Sequence, residues 1–350
     1  MRSNQKSRRR RATRCLGVAA LSATLAFGGT VPVWAAVPVT DLGVLPGGAT
    51  SGAYSISDRG VVVGYSSTAS GSARAVRWDR GGRITDLGAL PGDTDSTAFS
   101  VNSSGTVVGR SVVPGQHNRA VRWDRDGRIT ELPGVPGSTI ARGYSINDRG
   151  VTAGISIAGD GLFHAMRWGQ GDSATELPPL PGDTSAGAGW VNEGNTVAGF
   201  SKTAAGVSRA VLWSSTGAVR QLADLPGDSS SQASAINDSG VAVGNSYSAT
   251  GISHAVRWST DGRRISALPT LPGDVASAAY AVNNRGSVVG WSSGADGVRQ
   301  AVRWSPWGTV TPLAADASGA SEAYSIANDG TAAGSLTATD NKTHAALWTD

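Results

Sequence analysis

Arg119-Ala120-Val121-Arg122-Trp123 is one of seven versions of a single phrase, which reads along the chain RAVRW, RAVRW, HAMRW, RAVLW, HAVRW, QAVRW and HAALW. The closing tryptophans, at 78, 123, 168, 213, 258, 304 and 348, are separated by 45, 45, 45, 45, 46 and 44 residues. Such a period means one supersecondary unit copied along the chain, each copy unable to bury its apolar face alone. A residue kept in every copy is therefore first a folding residue. Function belongs to loops and to departures from the pattern.

Outward from Trp123, the second copy resolves into strands. Ile84 to Leu87 is short and β-prone, and Gly88 to Asp93 is turn chemistry. Thr97 to Asn102 alternates large with small, Ser103-Ser104-Gly105 turns the chain, and Thr106 to Ser111 returns. Asp126-Gly127 then turns Trp123 back into the next copy. Four antiparallel strands per copy, with no helical period, predict an all-β fold: a seven-bladed β-propeller of four-stranded blades. Val37 to Gly43 copies the strand that would follow Trp348, so the N-terminal strand is expected to close the ring beside His344 to Trp348. An open solenoid is the alternative, but neither end shows a polar capping copy.

The phrase H-A-φ-x-W, the G-x-V-V-G strand and the L-x-x-L-P-G-D loop resemble the HAF-type extracellular repeat of bacterial secreted proteins. The likeness covers residues 37–350. His164, His254 and His344 keep the histidine, while Arg74, Arg119, Arg209 and Gln300 replace it. The resemblance implies an extracellular repeat protein and no established activity. The Trp-Asp pairs at 78–79 and 123–124 are similar to WD-type repeats, yet their Gly-His companion is absent, as is the double glycine of kelch repeats.

Three repeated features have local explanations. Gly60, Gly105, Gly150, Gly240, Gly286 and Gly330 follow polar pairs where a hairpin needs positive φ, and the fourth copy places Asn195 there. Gly64, Gly109, Gly154, Gly199, Gly244, Gly290 and Gly334 lie inside a strand, which suggests that something bulky, the repeated tryptophan, meets the backbone. With a two-residue turn at Asp126-Gly127, Arg122 faces Glu131; the same count pairs Arg77 with Asp86 and Arg167 with Glu176, while the fourth copy changes both members, to Leu212 and Gln221.

The first 35 residues read as a secretory signal peptide: Arg8 to Arg11 and Arg14, an apolar stretch from Leu16 to Gly29, then Val33-Trp34-Ala35 before a cleavage point at Ala36. The expected domains are thus residues 1–35, the leader, and 36–350, the repeat domain. Export is expected through the general route, with Ser7-Arg8-Arg9-Arg10 pointing to a twin-arginine alternative. The leader takes the only cysteine, Cys15, seven of the 30 basic residues and none of the 26 acids. What remains carries about −3, so the basic balance of the whole chain is no argument for nucleic acid.

Catalytic motifs are scarce. Gly290-Trp291-Ser292-Ser293-Gly294 fits a nucleophile elbow by letters only, since it overlays GYSST and GRSVV in other copies. The four histidines have no metal-ligand spacing, and neither metal nor cofactor is expected. Asp93, Asp183, Asp228 and Asp274 recur after Pro-Gly, where an aspartate caps its own loop through an Asx turn or, on a shared rim, meets a ligand or calcium. Trp190 stands where other copies have Ser55, Ser100, Ser145 or Ala235, and Trp291 and Trp307 are also additions. The expected function is a secreted, monomeric, non-enzymatic scaffold. It would bind an extracellular carbohydrate or protein through Trp190 and the four aspartates, without nucleic acid or a membrane span. A carbohydrate-active hydrolase or lyase with carboxylates at the channel mouth is one alternative, a purely structural envelope protein the other.

Overall fold

The computed structural model describes residues 37–113, 115, 117–313 and 319–349; the expected leader and its cleavage point lie outside them. The described residues are all β, with no helix, and so none long and apolar enough to cross a membrane. Six copies fold as an antiparallel four-stranded ladder in chain order, as in Asp95–Val101, Val107–Val112, Asn118–Trp123 and Ile129–Leu132, and the last copy contributes three strands. A single parallel bridge, Ile140 to Asn118, joins the second and third ladders into one eight-stranded sheet.

The core lies between ladders. Trp123 is fully buried and packs with Val107 and Val121 of its own copy and with Val63 and Ala75 of the copy before. Trp78 packs in the same way against Ala327, Ala333 and Ala345 of the last copy. That sheet has a strand from the other end of the chain, Val39–Asp41, paired antiparallel with Thr343–Trp348 through Val39 opposite Trp348 and Asp41 opposite Ala346.

Every first strand carries a β-bulge at the same place. Pairing skips one residue between Ala53 and Ser55, and likewise at Phe99, Tyr144, Gly189, Ser234, Tyr280 and Tyr324. The bulge revises the reading of the in-strand glycines. A Cβ on Gly109 would stand 2.0 Å from the Thr97 carbonyl oxygen, and one on Gly154 1.9 Å from that of Arg142, with the Trp168 ring farther, at 3.0 Å. The close neighbour is the bulged backbone, and the tryptophan comes second.

The cross-strand ion pairs are out by one residue. Asp124 and Arg128 bracket a three-residue loop, with Gly127 at φ 89° forming the bulged corner that a two-residue count omits. Arg122 therefore faces Thr130, Arg77 faces Thr85, Arg167 faces Thr175, and Leu212 faces Arg220. The acids pair instead with the first residue of the phrase: Arg74 with Asp86 at 3.3 Å, Arg119 with Glu131 at 3.3 Å, His164 with Glu176 at 2.7 Å and His344 with Asp41 at 2.6 Å. The arginine before the tryptophan reaches the following copy: Arg122 meets Asp172 at 2.7 Å, and Arg257 donates to the Pro306 and Gly286 carbonyls at 2.6 and 3.0 Å.

Candidate functional site

The first strands of all copies end around one cavity of about 190 Å³, with an aliphatic neck that includes Ile56, Ile146, Ile236 and Ile326. Beyond the neck stands a layer of buried asparagines. Asn102, Asn147, Asn192, Asn237 and Asn283 each donate through Nδ2 to the backbone carbonyl of the corresponding residue one copy on, at 2.9 to 3.1 Å. Their Oδ1 atoms accept an amide of their own hairpin, as Asn102 does from Thr106 at 2.9 Å, so one side chain ties both a turn and its neighbour.

The next residue of each hairpin forms the mouth. The amide of Ser103 donates to Asp148 Oδ1 (2.7 Å), that of Asp148 to Glu193 Oε1 (2.7 Å), and that of Glu193 to Asp238 Oδ1 (2.9 Å). The relay continues from Asp238 to Asn284, Asn284 to Asn328 and Asn328 to Asp58, at 2.8 to 3.0 Å. Second oxygens of Asp238 and Asp58 take the side-chain amides of Asn284 and Asn328, at 2.6 and 2.7 Å. Those of Asp148 and Glu193 have no hydrogen-bond partner among the described residues. Burial, then the negative charges of Asp148 and Asp238, push the Glu193 carboxyl above its ordinary value, against the Asp148 amide and Arg149. Half-buried Trp190 lines the same cavity and packs between adjacent core clusters.

The structure separates Trp190 from the four aspartates it was grouped with. Asp93 and Asp183 have fully buried side chains: Asp93 accepts from Ser111 (2.6 Å) and Arg119 (2.5 Å), Asp183 from Ser201 (2.6 Å) and Arg209. Asp274 accepts from Ser292 at 2.6 Å, and Asp228 meets His254 at 2.9 Å. These carboxylates pin their loop to the second and third strands of their own copy. They do not line the mouth. A larger cavity of about 620 Å³ borders Asp93, Arg119 and Glu131, but the charges there are spent on each other. Ser292 is buried inside a regular strand, so no nucleophile elbow exists. Trp291 donates to Tyr280 Oη at 2.9 Å and has Arg299 stacked 4.4 Å above it, whereas Trp307 is 86% exposed on a hairpin. Among the described residues no cluster of three His, Cys, Asp or Glu could hold a metal ion.

Sequence reasoning missed the mouth carboxylates. Asp58, Asp148, Glu193 and Asp238 occupy one repeat position, but stand beside the hairpin glycines and read as turn polarity. With the copies aligned, this position reads Asp58, Ser103, Asp148, Glu193, Asp238, Asn284 and Asn328, which is no more acidic than an ordinary turn.

No protein-family model and no curated protein matches the chain. Solved structures do. A streptogramin B lyase is 17% identical, with TM-score 0.57, over 91% of this chain and 100% of its own. Virginiamycin B lyase from Staphylococcus aureus gives 15% and 0.58 over 90% and 99%. An oligogalacturonate lyase in complex with manganese gives 15% and 0.59 over 89% and 93%. At these identities the likeness establishes an all-β, propeller-like fold and no more. The expected non-enzymatic scaffold is corrected in that these three structures, alike over about nine-tenths of the chain, are enzymes and favour its enzymatic alternative. The carboxylates that line the mouth are Asp58, Asp148, Glu193 and Asp238, not the four aspartates expected on the rim.

Proposed function

We propose that this chain is a secreted carbohydrate-active enzyme, a hydrolase or lyase, on a seven-bladed propeller closed by its N-terminal strand. Residues 1–35 would be its export signal, and its repeats would belong with the HAF-type extracellular family. Glu193 is the proton donor, Asp148 the paired carboxylate, and Trp190 the platform against which a sugar ring stacks. One observation carries the reading: Asp148 and Glu193, on adjacent copies, each keep an oxygen open at the cavity that Trp190 lines, and Glu193 is held toward its protonated form. A carboxyl held toward its protonated form beside a second carboxylate suits the first to give a proton. The oligogalacturonate lyase adds a sugar-acid substrate to the range worth testing.

The test is turnover of neutral and uronate polysaccharides by the mature protein. New reducing ends alone report hydrolysis; reducing ends with an ultraviolet-absorbing unsaturated product report elimination. Glu193→Gln and Asp148→Asn should each lower kcat/KM by ~10² or more. Absence of turnover by the wild type across the series, or full activity in both variants, overturns the proposal.

A further inference from the structure

The bulge positions place one side chain per copy in a common layer: Tyr54, Phe99, Tyr144, Gly189, Ser234, Tyr280 and Tyr324. Five are aromatic and touch in series. Ring centroids lie 5.4 Å apart for Tyr280–Tyr324, 5.5 Å for Tyr324–Tyr54, 5.7 Å for Tyr54–Phe99 and 5.4 Å for Phe99–Tyr144. Packing is dense enough that burial pushes the Tyr54 hydroxyl up to about 12. The arc stops at Tyr144, because the next two copies supply Gly189 and Ser234.

The interruption is a cavity of about 220 Å³. Tyr144 borders it on one side, Gln232 and Ser234 on the other, and the edge-to-face pair Phe163–Phe200, 5.9 Å apart at 75°, lines it as well. Neither crowding nor backbone requires glycine at 189. Its φ lies outside the left-handed region, and a Cβ there would meet nothing nearer than 3.6 Å. The space belongs to a missing side chain, and the other copies say which kind. Tilted rings at 5.4 to 5.7 Å are the stable arrangement for aromatic pairs, and the rim of this space is already aromatic. Arg142 donates to the Tyr144 hydroxyl at 3.3 Å, so the outer end of the layer is polar.

We infer that this gap binds one aryl ring of a ligand, phenol-like in size. The ring would take the place that Tyr or Phe fills elsewhere in the layer, its polar end toward Gln232 and Ser234. The inference does not rest on the sugar chemistry proposed at the mouth; its residues are separate, and it can hold if that reading fails.

The probe is p-cresol, the tyrosine side chain as a free molecule, with methyl glucoside as the sugar comparison. Calorimetry on the mature protein should show p-cresol binding at about millimolar Kd or tighter and methyl glucoside none. In nuclear magnetic resonance, p-cresol protons should contact the Tyr144 and Phe200 rings. Gly189→Phe or Ser234→Phe, which supplies the missing ring, should weaken p-cresol at least ~tenfold, while Trp307→Ala, at an exposed hairpin outside the cavity lining, keeps it within a few-fold. Should either filled variant fail to fold, the wild-type ring contacts still decide. Absent p-cresol binding, contacts to other residues only, unchanged affinity in a folded filled variant, or preference for methyl glucoside overturns the inference.

Discussion

The seven phrase tryptophans are all fully buried, yet they do not occupy equal chemical settings. Trp168, Trp213, Trp258 and Trp304 donate Nε1 to the carbonyls of Pro133, Pro178, Ala223 and Pro269, at 2.7 to 2.8 Å. Trp78 and Trp123 have no such acceptor among the described residues. The residue in the Pro178 place is there Gly43 or Gly88, at φ 71° and 79°, and its carbonyl accepts from Ser51 or Ser96 instead, at 2.8 Å. Replacing Trp by Phe removes similar volume in either setting, so a comparison isolates the indole N–H. Trp213→Phe strands the Pro178 carbonyl, while Trp123→Phe removes an unsatisfied donor. The first should cost about 1–3 kcal/mol more than the second, seen as a larger drop in the denaturant midpoint at equal slope. Glu193 gives a second residue-scale prediction. Its raised value means that the folded state holds the proton more tightly than the unfolded chain, so its contribution to stability falls as pH rises from the ordinary glutamate value, about 4.3, through the raised one. Glu193→Gln keeps an acceptor for the Asp148 amide and never ionises. Its melting temperature should exceed wild type at pH 7 and match it below pH ~4. A constant difference across pH would remove the charge explanation.

Between elements, the arginine that precedes the tryptophan in five of the seven phrases works differently from the acid that was expected to face it. Arg257 spans to the next copy and meets three of its carbonyls, whereas Glu131 makes a surface pair whose acid is half exposed. Arg257→Ala should therefore cost about 1.5–3 kcal/mol, and Glu131→Gln under about 1 kcal/mol, in thermal or denaturant melts. Equal costs would mean that the guanidinium bonds across copies are immaterial. The strands themselves were legible because alternation and turn glycines recur at a fixed period. Their register was not, since one more residue in the loop at Arg125-Asp126-Gly127 shifts every facing pair. The bulge was not legible either: no residue type is common to its seven positions, where Tyr54 sits as comfortably as Gly189 or Ser234. The aromatic layer could have been found by aligning the copies, where five rings and two small residues share a column. The mouth relay could not, because its bonds run from backbone amides to side chains one whole copy away.

At the scale of the molecule, the proposed closed ring hangs on three described residues, Val39 to Asp41, and their surroundings. They pair with Thr343–Trp348, the Leu42 amide donates to the Ala345 carbonyl at 2.9 Å, and Asp41 meets His344 at 2.6 Å. The last and first copies also meet without them: Ala345 donates to Ser51 Oγ (2.9 Å), Asn328 to Asp58 (2.8 Å), and Trp78 packs on Ala333 and Ala345. Removing residues 37–43 thus leaves that interface nominally in place but strips the outer strand from the last sheet. Its third strand becomes a bare edge with unpaired amides and carbonyls, which frays and recruits other chains. Leu42 goes too, and it packs on the Trp78 cluster. No disulfide can compensate, since the single cysteine lies before the repeats. A chain beginning at Val44 should melt well below one beginning at Ala36, with a broader transition and concentration-dependent aggregation, whereas removal of residues 1–35 alone should leave the melt unchanged. Cooperative melting of the shorter chain at the same temperature would show that the strand is no clasp, and closure would then rest on the contacts between the first and last copies alone.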